Sequence, residues 1–414
     1  MSYLRGKGCF SERFLQYLKE FHFTGDLYAV PEGTPVFPGE PILTICAPAI
    51  EAQIIETFVL LSINHQSLIA TKANRIVRAA QGKTVLEFGS RRAQGADGAV
   101  LGARAAYLAG CGGTACTLTD SLYGVPAGGT MAHAWVQMFD SEYEAFAAYC
   151  KLYPNNAILL VDTYDTLKSG VPNAIRAFRD ILVPQGITSF GIRLDSGDLA
   201  YLSKKARKML DAAGYPDAVI AASSDLDEYL INSLKNQGAA ITSWGVGTNL
   251  ITSADNPSFG GVYKLAAIKK PEDEEFTAKI KISENPAKIT NPGNKTVFRL
   301  YNKETGKIKA DLIALSDETY NEAEDLEIFD QMATWKRSTL PGGSYEIREM
   351  LVPVFLKGQC VYQNPSTMEI REYCRKELNT LWDETRRLVN PQEVFVDLSK
   401  PLYDLKQKLL NSRH

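Results

Sequence analysis

Cysteine is sparse and unpaired in this chain. The seven cysteines stand at 9, 46, 111, 116, 150, 360 and 374. Their number is odd and no two are spaced CxxC, which argues against a disulfide framework and for a reducing cytosol. Cys111 and Cys116 lie closest, with no histidine between or beside them, so they read as small buried apolar residues and no zinc or other protein-held metal is expected. No stretch approaches the ~20 apolar residues of a membrane span. The opening Met1-Ser2-Tyr3-Leu4-Arg5-Gly6-Lys7-Gly8 lacks the apolar core of a signal peptide, so a cytoplasmic protein is expected. An excess of charge is missing too: 45 basic against 48 acidic residues give −3. That disfavours nucleic acid or an anionic membrane as a bulk partner but leaves room for a local basic pocket. Internal repeats and low-complexity stretches are absent.

What is present is a chain of 414 residues, 45% hydrophobic and 22% charged, long enough for two domains or one large barrel with additions. Ser11 caps a short helix expected over 11–23. Leu27–Val30, Thr34–Phe37 and Ile42–Cys46 read as a small antiparallel unit between Gly and Pro residues. A long helical pattern runs over 49–80 and stops at Gln81-Gly82. From about residue 84 the texture changes. Strands at Val85–Phe88, Ala157–Val161, Phe190–Leu194, Ala218–Ala222 and Ile241–Trp244 alternate with helices near 98–109, 172–184, 199–213 and 226–237. That is the βαβ signature of parallel strands. It suggests an α/β barrel, with an open doubly wound sheet as the alternative. After 260 the pattern turns to β-prone runs at 276–283, 295–302 and 307–314, with a hairpin turn at 303–306, then a helix over 366–389. The tail is expected to pack back on the N-terminal layer. The architecture expected is therefore an irregular (β/α) barrel over 106–329, joined to an α+β layer of residues 1–105 completed by 330–414.

The chemistry-bearing residues fall just after the strands. DTYDT (162–166), RLDSGD (193–198), SSDLD (223–227) and SWGVGTN (243–249) each follow one. Ligands of parallel α/β folds bind at the carboxyl ends of strands, so four such exits point to one shared site. Gly245 and Gly247 permit close backbone approach, and with Thr248 could cradle a phosphate. A carboxylate such as Asp195 can hold ribose hydroxyls or a metal-bridged pyrophosphate, and Arg193 can grip an anion through paired hydrogen bonds. Ser224 and Asp225 occupy the neighbouring exit. His133 follows a Gly-Gly turn and could act as base, phosphate ligand or phosphoryl acceptor, with Thr130 three residues earlier. Phe88 could stack on a planar ring and Arg91 hold an anion.

Together these segments resemble the nicotinate phosphoribosyltransferase family. The stretches are VLEFGSRRAQGADGAVLGARAAYLAG, GTMAHAW, VDTYDT, GIRLDSGDL, WGVGTNLITS, GGVYKL and ENPAKITNPGNKTVFRL, in family order across the chain. The resemblance implies a type II phosphoribosyltransferase fold. It also implies conversion of nicotinate and phosphoribosyl pyrophosphate to nicotinate mononucleotide and pyrophosphate, coupled to ATP hydrolysis and using Mg2+, in salvage of nicotinate to NAD. His133 matches the histidine phosphorylated by ATP, and Thr130 a nicotinate-contacting threonine. Arg193 would lie near nicotinate and ribose, and Asp195 would assist the ribose. Thr248, Gly245 and Gly247 match the phosphate turn, and Phe88 and Arg91 the ring-stacking and charge-bearing positions.

A homodimer is implied, because the family builds its site across subunits. Family members begin with a segment like TDLYxLTM, whose tyrosine stacks on the pyridine ring from the neighbour. This chain opens at MSYLRGKGCF, as though several dozen residues into the family. Two other readings stand beside the main one. A nicotinamide-preferring enzyme would carry an acidic residue where Ala115 stands. A non-catalytic relative lacking the N-terminal segment would bind a ligand or partner. Of a four-cysteine zinc knuckle found in some relatives, only Cys360 and Cys374 have counterparts.

Overall fold

A computed structural model describes residues 1–285 and 289–412. Pro286, Ala287 and Lys288 of the ENPAKITNPGNKTVFRL stretch, and His414, lie outside the described residues. Six parallel strands organise the chain: β1 Thr84–Glu87, β2 Gly113–Thr114, β3 Ala157–Leu160, β4 Phe190–Leu194, β5 Val219–Ala222 and β6 Ser243–Val246. Their order in the sheet is β2-β1-β6-β5-β4-β3. Strand order therefore never reverses around the sheet, as it would at the switch point of a doubly wound fold. The link from β6 to β1, with Val85 opposite Trp244, is a barrel-closing contact. The barrel stays open between β2 and β3, because β2 is only two residues long and residues 115–156 form helices there. The result is a curled half-barrel.

The strands are nearly all apolar because both faces are covered. Leu159, Ile192 and Ile220 form one buried row across β3, β4 and β5. Outside them runs the helix Glu56–Ala80, terminated by Gln81 in the left-handed conformation (φ 48°). Its expected continuity from 49 is interrupted at Ile55, between it and a short helix, Ala49–Ile54. Thr84–Glu87, within the stretch assigned from sequence to the layer, belongs to this half-barrel.

Near the N-terminus, Asp26–Ala29 pairs antiparallel with Leu43–Cys46 and, on its other edge, with Val352–Leu356. The stretch Thr34–Phe37 is not a strand: Pro35 lacks a donor, and the Thr34 amide and hydroxyl both bond Pro31 O in a turn. The hairpin Lys295–Asn302 and Ile308–Leu315 forms as expected, with Gly306 at φ 65° in its turn. The tail docks on this hairpin. Phe395–Leu398 pairs parallel with Ile308–Leu315, and the helix Lys400–Asn411 packs on the same sheet, where Val30 of the N-terminal layer joins Leu398 and Leu402 in one apolar cluster. The helix expected over 366–389 covers only Thr367–Asn379. Its freed carbonyls at Asn379 and Leu381 are taken by Lys307 Nζ at 2.7 and 3.0 Å, and Trp382 turns away to bond Ile308 O. From this helix Arg371 donates to the carbonyls of Tyr107, Gly110 and Cys111, seating the C-terminal region on the helix Ala96–Leu108. No described helix is long and apolar enough to cross a membrane.

Between the two ends of the chain lies a charged knot. Arg299 and Asp311, both fully buried, form a two-pronged ion pair at 2.8 and 2.6 Å. Glu40 closes over it with Oε1 buried and unbonded. Burial, then the Asp311 carboxylate, pushes the Glu40 carboxyl from 4.5 to about 10. The native state thus holds this proton where the unfolded chain releases it. Its stabilising contribution is complete below pH 4.5 and is lost as pH rises toward about 10. Glu40→Gln is neutral at every pH. Its melting temperature should exceed that of the parent by more at pH 9 than at pH 5, and equal differences would place Glu40 outside the knot.

Candidate active site

The carboxyl ends of β1, β3, β4, β5 and β6 meet at one pole, and the polar side chains gather there. Arg193, one residue before the end of β4, is 17% exposed. Each of its three guanidinium nitrogens has a partner: Nε donates to Ser223 Oγ (2.8 Å), Nη1 to Thr130 Oγ1 (2.8 Å), Nη2 to Asp195 Oδ1 (2.9 Å). Ser223 also donates to Asp195 Oδ1. Burial alone would raise the Asp195 carboxyl. Hydrogen bonds from Ser223 and Arg193, with the charge of Arg193 and His133, outweigh it and hold Asp195 below its ordinary range. Asp195 is therefore an anion at neutral pH, with Oδ2 3.6 Å from His133 Nε2.

His133 opens the helix His133–Gln137, and its Nδ1 lies 3.1 Å from Thr163 Oγ1. Below the imidazole sits Asp162, only 2% exposed. Its Oδ2 accepts from Asp195 N (2.8 Å) and Ser196 Oγ (2.7 Å), so it sets the turn carrying Asp195. Its Oδ1 is buried without a hydrogen bond, 4.0 Å from His133 Nε2. Within DTYDT the carboxylate nearest the strand is thus the one in the site. Asp165 instead caps the next turn by accepting from the Leu167 and Lys168 amides.

Phe88 follows β1, and the Arg193 guanidinium lies over its ring at 5.7 Å. A Cβ on Gly245 would come within 2.6 Å of that ring, and one on Gly247 within 3.2 Å of Phe88 O. These glycines let the first and last strands' exits touch. Glu87 beneath is fully buried, and accepts from Thr114 Oγ1 (2.6 Å) and the Gly89 amide. Burial raises its carboxyl despite those two bonds. It fastens the loop after β1 to β2, a role hidden in the sequence because a strand glutamate reads as surface.

The structure thus brings Phe88, Thr130, His133, Arg193 and Asp195 into one cluster. Ser224 and Asp225 occupy the turn after β5, Gly247 and Thr248 the turn after β6, and Gly245 lies within β6 itself, opposite Leu86. Arg91 stands apart, exposed on a short 3-10 turn and in no ion pair among the described residues. Asp162, Thr163, Ser223 and Glu87 complete the site and were not singled out by sequence. For Asp162 and Ser223 the position directly after a strand is the signal that could have found them. No group of three or more His, Cys, Asp or Glu able to hold a metal occurs among the described residues.

Comparison with known proteins fits this geometry. The nicotinate phosphoribosyltransferase N-terminal domain matches residues 1–64, and the C-terminal domain of that family matches 294–406. The chain is 45% identical over 411 residues to a nicotinate phosphoribosyltransferase of Bacillus subtilis strain 168, spanning 99% of this chain and 82% of that one. It is 31% identical to a human protein of the same name, over 93% and 79% of the two chains. The crystal structure of human nicotinic acid phosphoribosyltransferase superposes with a TM-score of 0.80 at 27% identity, covering 97% of this chain and 85% of that one. A nicotinate-nucleotide pyrophosphorylase from Pyrococcus furiosus superposes at 0.66 and 26% identity, over 88% and 84%.

An open half-barrel with its polar cluster at the strand ends is the scaffold of a pyridine phosphoribosyltransferase. Within that class, the chain belongs to the nicotinate phosphoribosyltransferase family.

Asp162→Ala removes the acceptor for Asp195 N and Ser196 Oγ. At ~0.5–1.5 kcal/mol per hydrogen bond, about 1–3 kcal/mol of stability should be lost. Phosphoribosyl transfer should fall at least about tenfold as the Asp195 turn relaxes. Thermal melts and steady-state rates check this, and unchanged turnover would remove Asp162 from the site.

Proposed function

We propose that this protein joins nicotinate to phosphoribosyl pyrophosphate, releasing pyrophosphate and forming nicotinate mononucleotide, with ATP hydrolysis driving the reaction in NAD salvage. It would work in the cytoplasm. The observation that carries the reading is the contact of Arg193, Asp195 and His133 at the strand ends of a half-barrel beside an aromatic ring, Phe88.

In this reading the pyridine ring packs on Phe88. All three guanidinium nitrogens of Arg193 already have partners, so Arg193 contributes positive field and orients the Thr130 hydroxyl. Arg91, exposed and in no ion pair among the described residues, is a cation available to the nicotinate carboxylate. As the bond between C1 and pyrophosphate breaks, the ribose gains oxocarbenium character, which the Asp195 anion stabilises. Ser224, Asp225, Gly245, Gly247 and Thr248 line the phosphoribosyl side. Mg2+ is commonly held by one or two carboxylates together with substrate phosphates. Asp195 and Asp162, whose Oδ1 is buried and unbonded, fit that donor set. The ion would neutralise the leaving pyrophosphate. ATP would transfer its γ-phosphoryl to a ring nitrogen of His133, releasing ADP. Water would later cleave the P–N bond to give phosphate. The phosphorylated state places negative charge beside Asp195 and changes affinity for the anionic substrates.

A homodimer forms part of this reading. The helix Glu56–Ala80 leaves Phe58 and Leu61 74% and 67% exposed. Beside it runs the segment 261–265, tethered by the Tyr263 hydroxyl to Ala52 O at 2.9 Å, adding Val262 and Leu265 at 68% and 66% exposure. Clustered apolar exposure of this kind marks an interaction surface, and a second copy is the occupant the family resemblance implies.

Purified protein with nicotinate, phosphoribosyl pyrophosphate, Mg2+ and ATP should yield nicotinate mononucleotide, and no product would refute the activity. His133→Ala should abolish ATP stimulation while slow ATP-independent turnover persists. Normal stimulation in that variant would end the phosphohistidine role. Phe58→Asp should shift the mass measured by light scattering from dimer to monomer, and an unchanged dimer would move the interface elsewhere.

A further inference from the structure

The turn after β5 is strained. Ser224 (φ 94°) and Asp225 (φ 39°) are the only two adjacent non-glycine residues with positive φ among the described residues. A pair of such residues persists only where the surroundings over-determine it. Ser223, immediately before, bonds both Arg193 and Asp195, whereas Ser224 and Asp225 are exposed at the pole. Something outside the turn must hold it.

The downstream end is anchored. Leu226 is buried, Asp227 caps the helix Glu228–Asn236, and fully buried Glu228 is gripped by Lys72 and Arg75, each at 2.7 Å. Lys72 also holds Asp255 at 2.7 Å, beyond the turn after β6. Among the described residues, the tie on the crown of the turn comes from the neighbouring exit. Asn249 Nδ2 donates to Asp225 O at 2.8 Å and to Leu226 O at 3.3 Å. Asn249 lies in the second position of the short helix Thr248–Ile251, directly after the Gly247–Thr248 turn. That helix is itself keyed to the body of the fold. A Cβ on Gly102 or on Gly89 would come within 2.6 Å of Ile251. Ile251 thus fixes the helix, and the helix carries the amide that clips the β5 turn.

We propose that Asn249 is a positioning residue that locks the Ser224–Asp225 turn to the β6 exit, so that both turns face the phosphoribosyl substrate in one fixed geometry. The role rests on the phosphoribosyl-transfer reading above. The carboxamide is needed as a donor, since both partners are carbonyl oxygens. Asparagine alone among residues of its shape supplies it: aspartate is isosteric but places a carboxylate against those two oxygens, and leucine offers no donor.

The test compares Asn249→Asp, Asn249→Ala and Asn249→Gln in the full chain. Asn249→Asp should raise the KM for phosphoribosyl pyrophosphate about tenfold to a hundredfold, the scale of two lost hydrogen bonds plus carbonyl–carboxylate repulsion. Asn249→Ala should raise it less, and Asn249→Gln, which keeps the donor, should recover part of the loss. The KM for nicotinate should stay within about twofold and kcat within about threefold. A merely structural residue would instead lower the fraction of active enzyme and leave both KM values alone, which would overturn the proposal. Equal effects of the Asp and Ala variants would also overturn it. If the parent protein turns over no phosphoribosyl pyrophosphate, the functional reading fails by itself. The positioning role is then decided by a crystal structure of Asn249→Asp: a relaxed turn at 224–225 supports it, and a retained positive-φ pair overturns it.

Discussion

The guanidinium of Arg193 is the hub on which the pole of this half-barrel depends. It reaches a hydroxyl on the loop before the His133 helix, a hydroxyl at the end of β5 and a carboxylate after its own strand. Three segments that are distant in sequence are fixed relative to one planar group. A lysine could supply the charge but not three directed bonds in a plane. The same fan keeps Asp195 ionised against the cost of burial, and Asp195 in turn faces His133. Charge, geometry and the placement of the imidazole therefore share one origin.

A second constraint is steric. The first and last strands of the half-barrel meet where Phe88 lies against Gly245 and Gly247, and where Ile251 fits against Gly89 and Gly102. A Cβ at Gly245 would strike the aromatic ring, and one at Gly89 would strike Ile251 and the Gly247 carbonyl. The ring and the phosphate turn are thus two sides of one packing contact. Below them the Glu87 carboxylate holds the loop after β1 and the strand β2 together.

Much of this was legible in the residues. Apolar runs at 157–161, 190–194 and 218–222, each followed by a polar exit, reveal parallel strands and the end at which a ligand binds. Gln81-Gly82, Ser11 and the 303–306 turn act as their chemistry requires. What stayed hidden depends on partners far along the chain. Thr34–Phe37 has strand-like composition, yet a turn to Pro31 wins. The helix from Ser366 stops at Asn379 because Lys307, from the distant hairpin, takes its carbonyls. Choosing Asp162 over Asp165 needed the strand's end to within one residue. The tail's docking on Ile308–Leu315 could not be read from its own amphipathic pattern, which shows a buried face but not what buries it.

The pairing of Asp26–Ala29 with Val352–Leu356 has a consequence for biosynthesis. Leu27 is opposite Phe355, so an early strand waits for a partner made only after the whole half-barrel. At roughly 5–20 residues per second, that wait is on the order of tens of seconds. During it the nascent chain carries an unsatisfied strand edge as the half-barrel emerges, and β1 also waits for β6. Until then one edge of Asp26–Ala29 is held only by water, while its other edge can already pair with Leu43–Cys46.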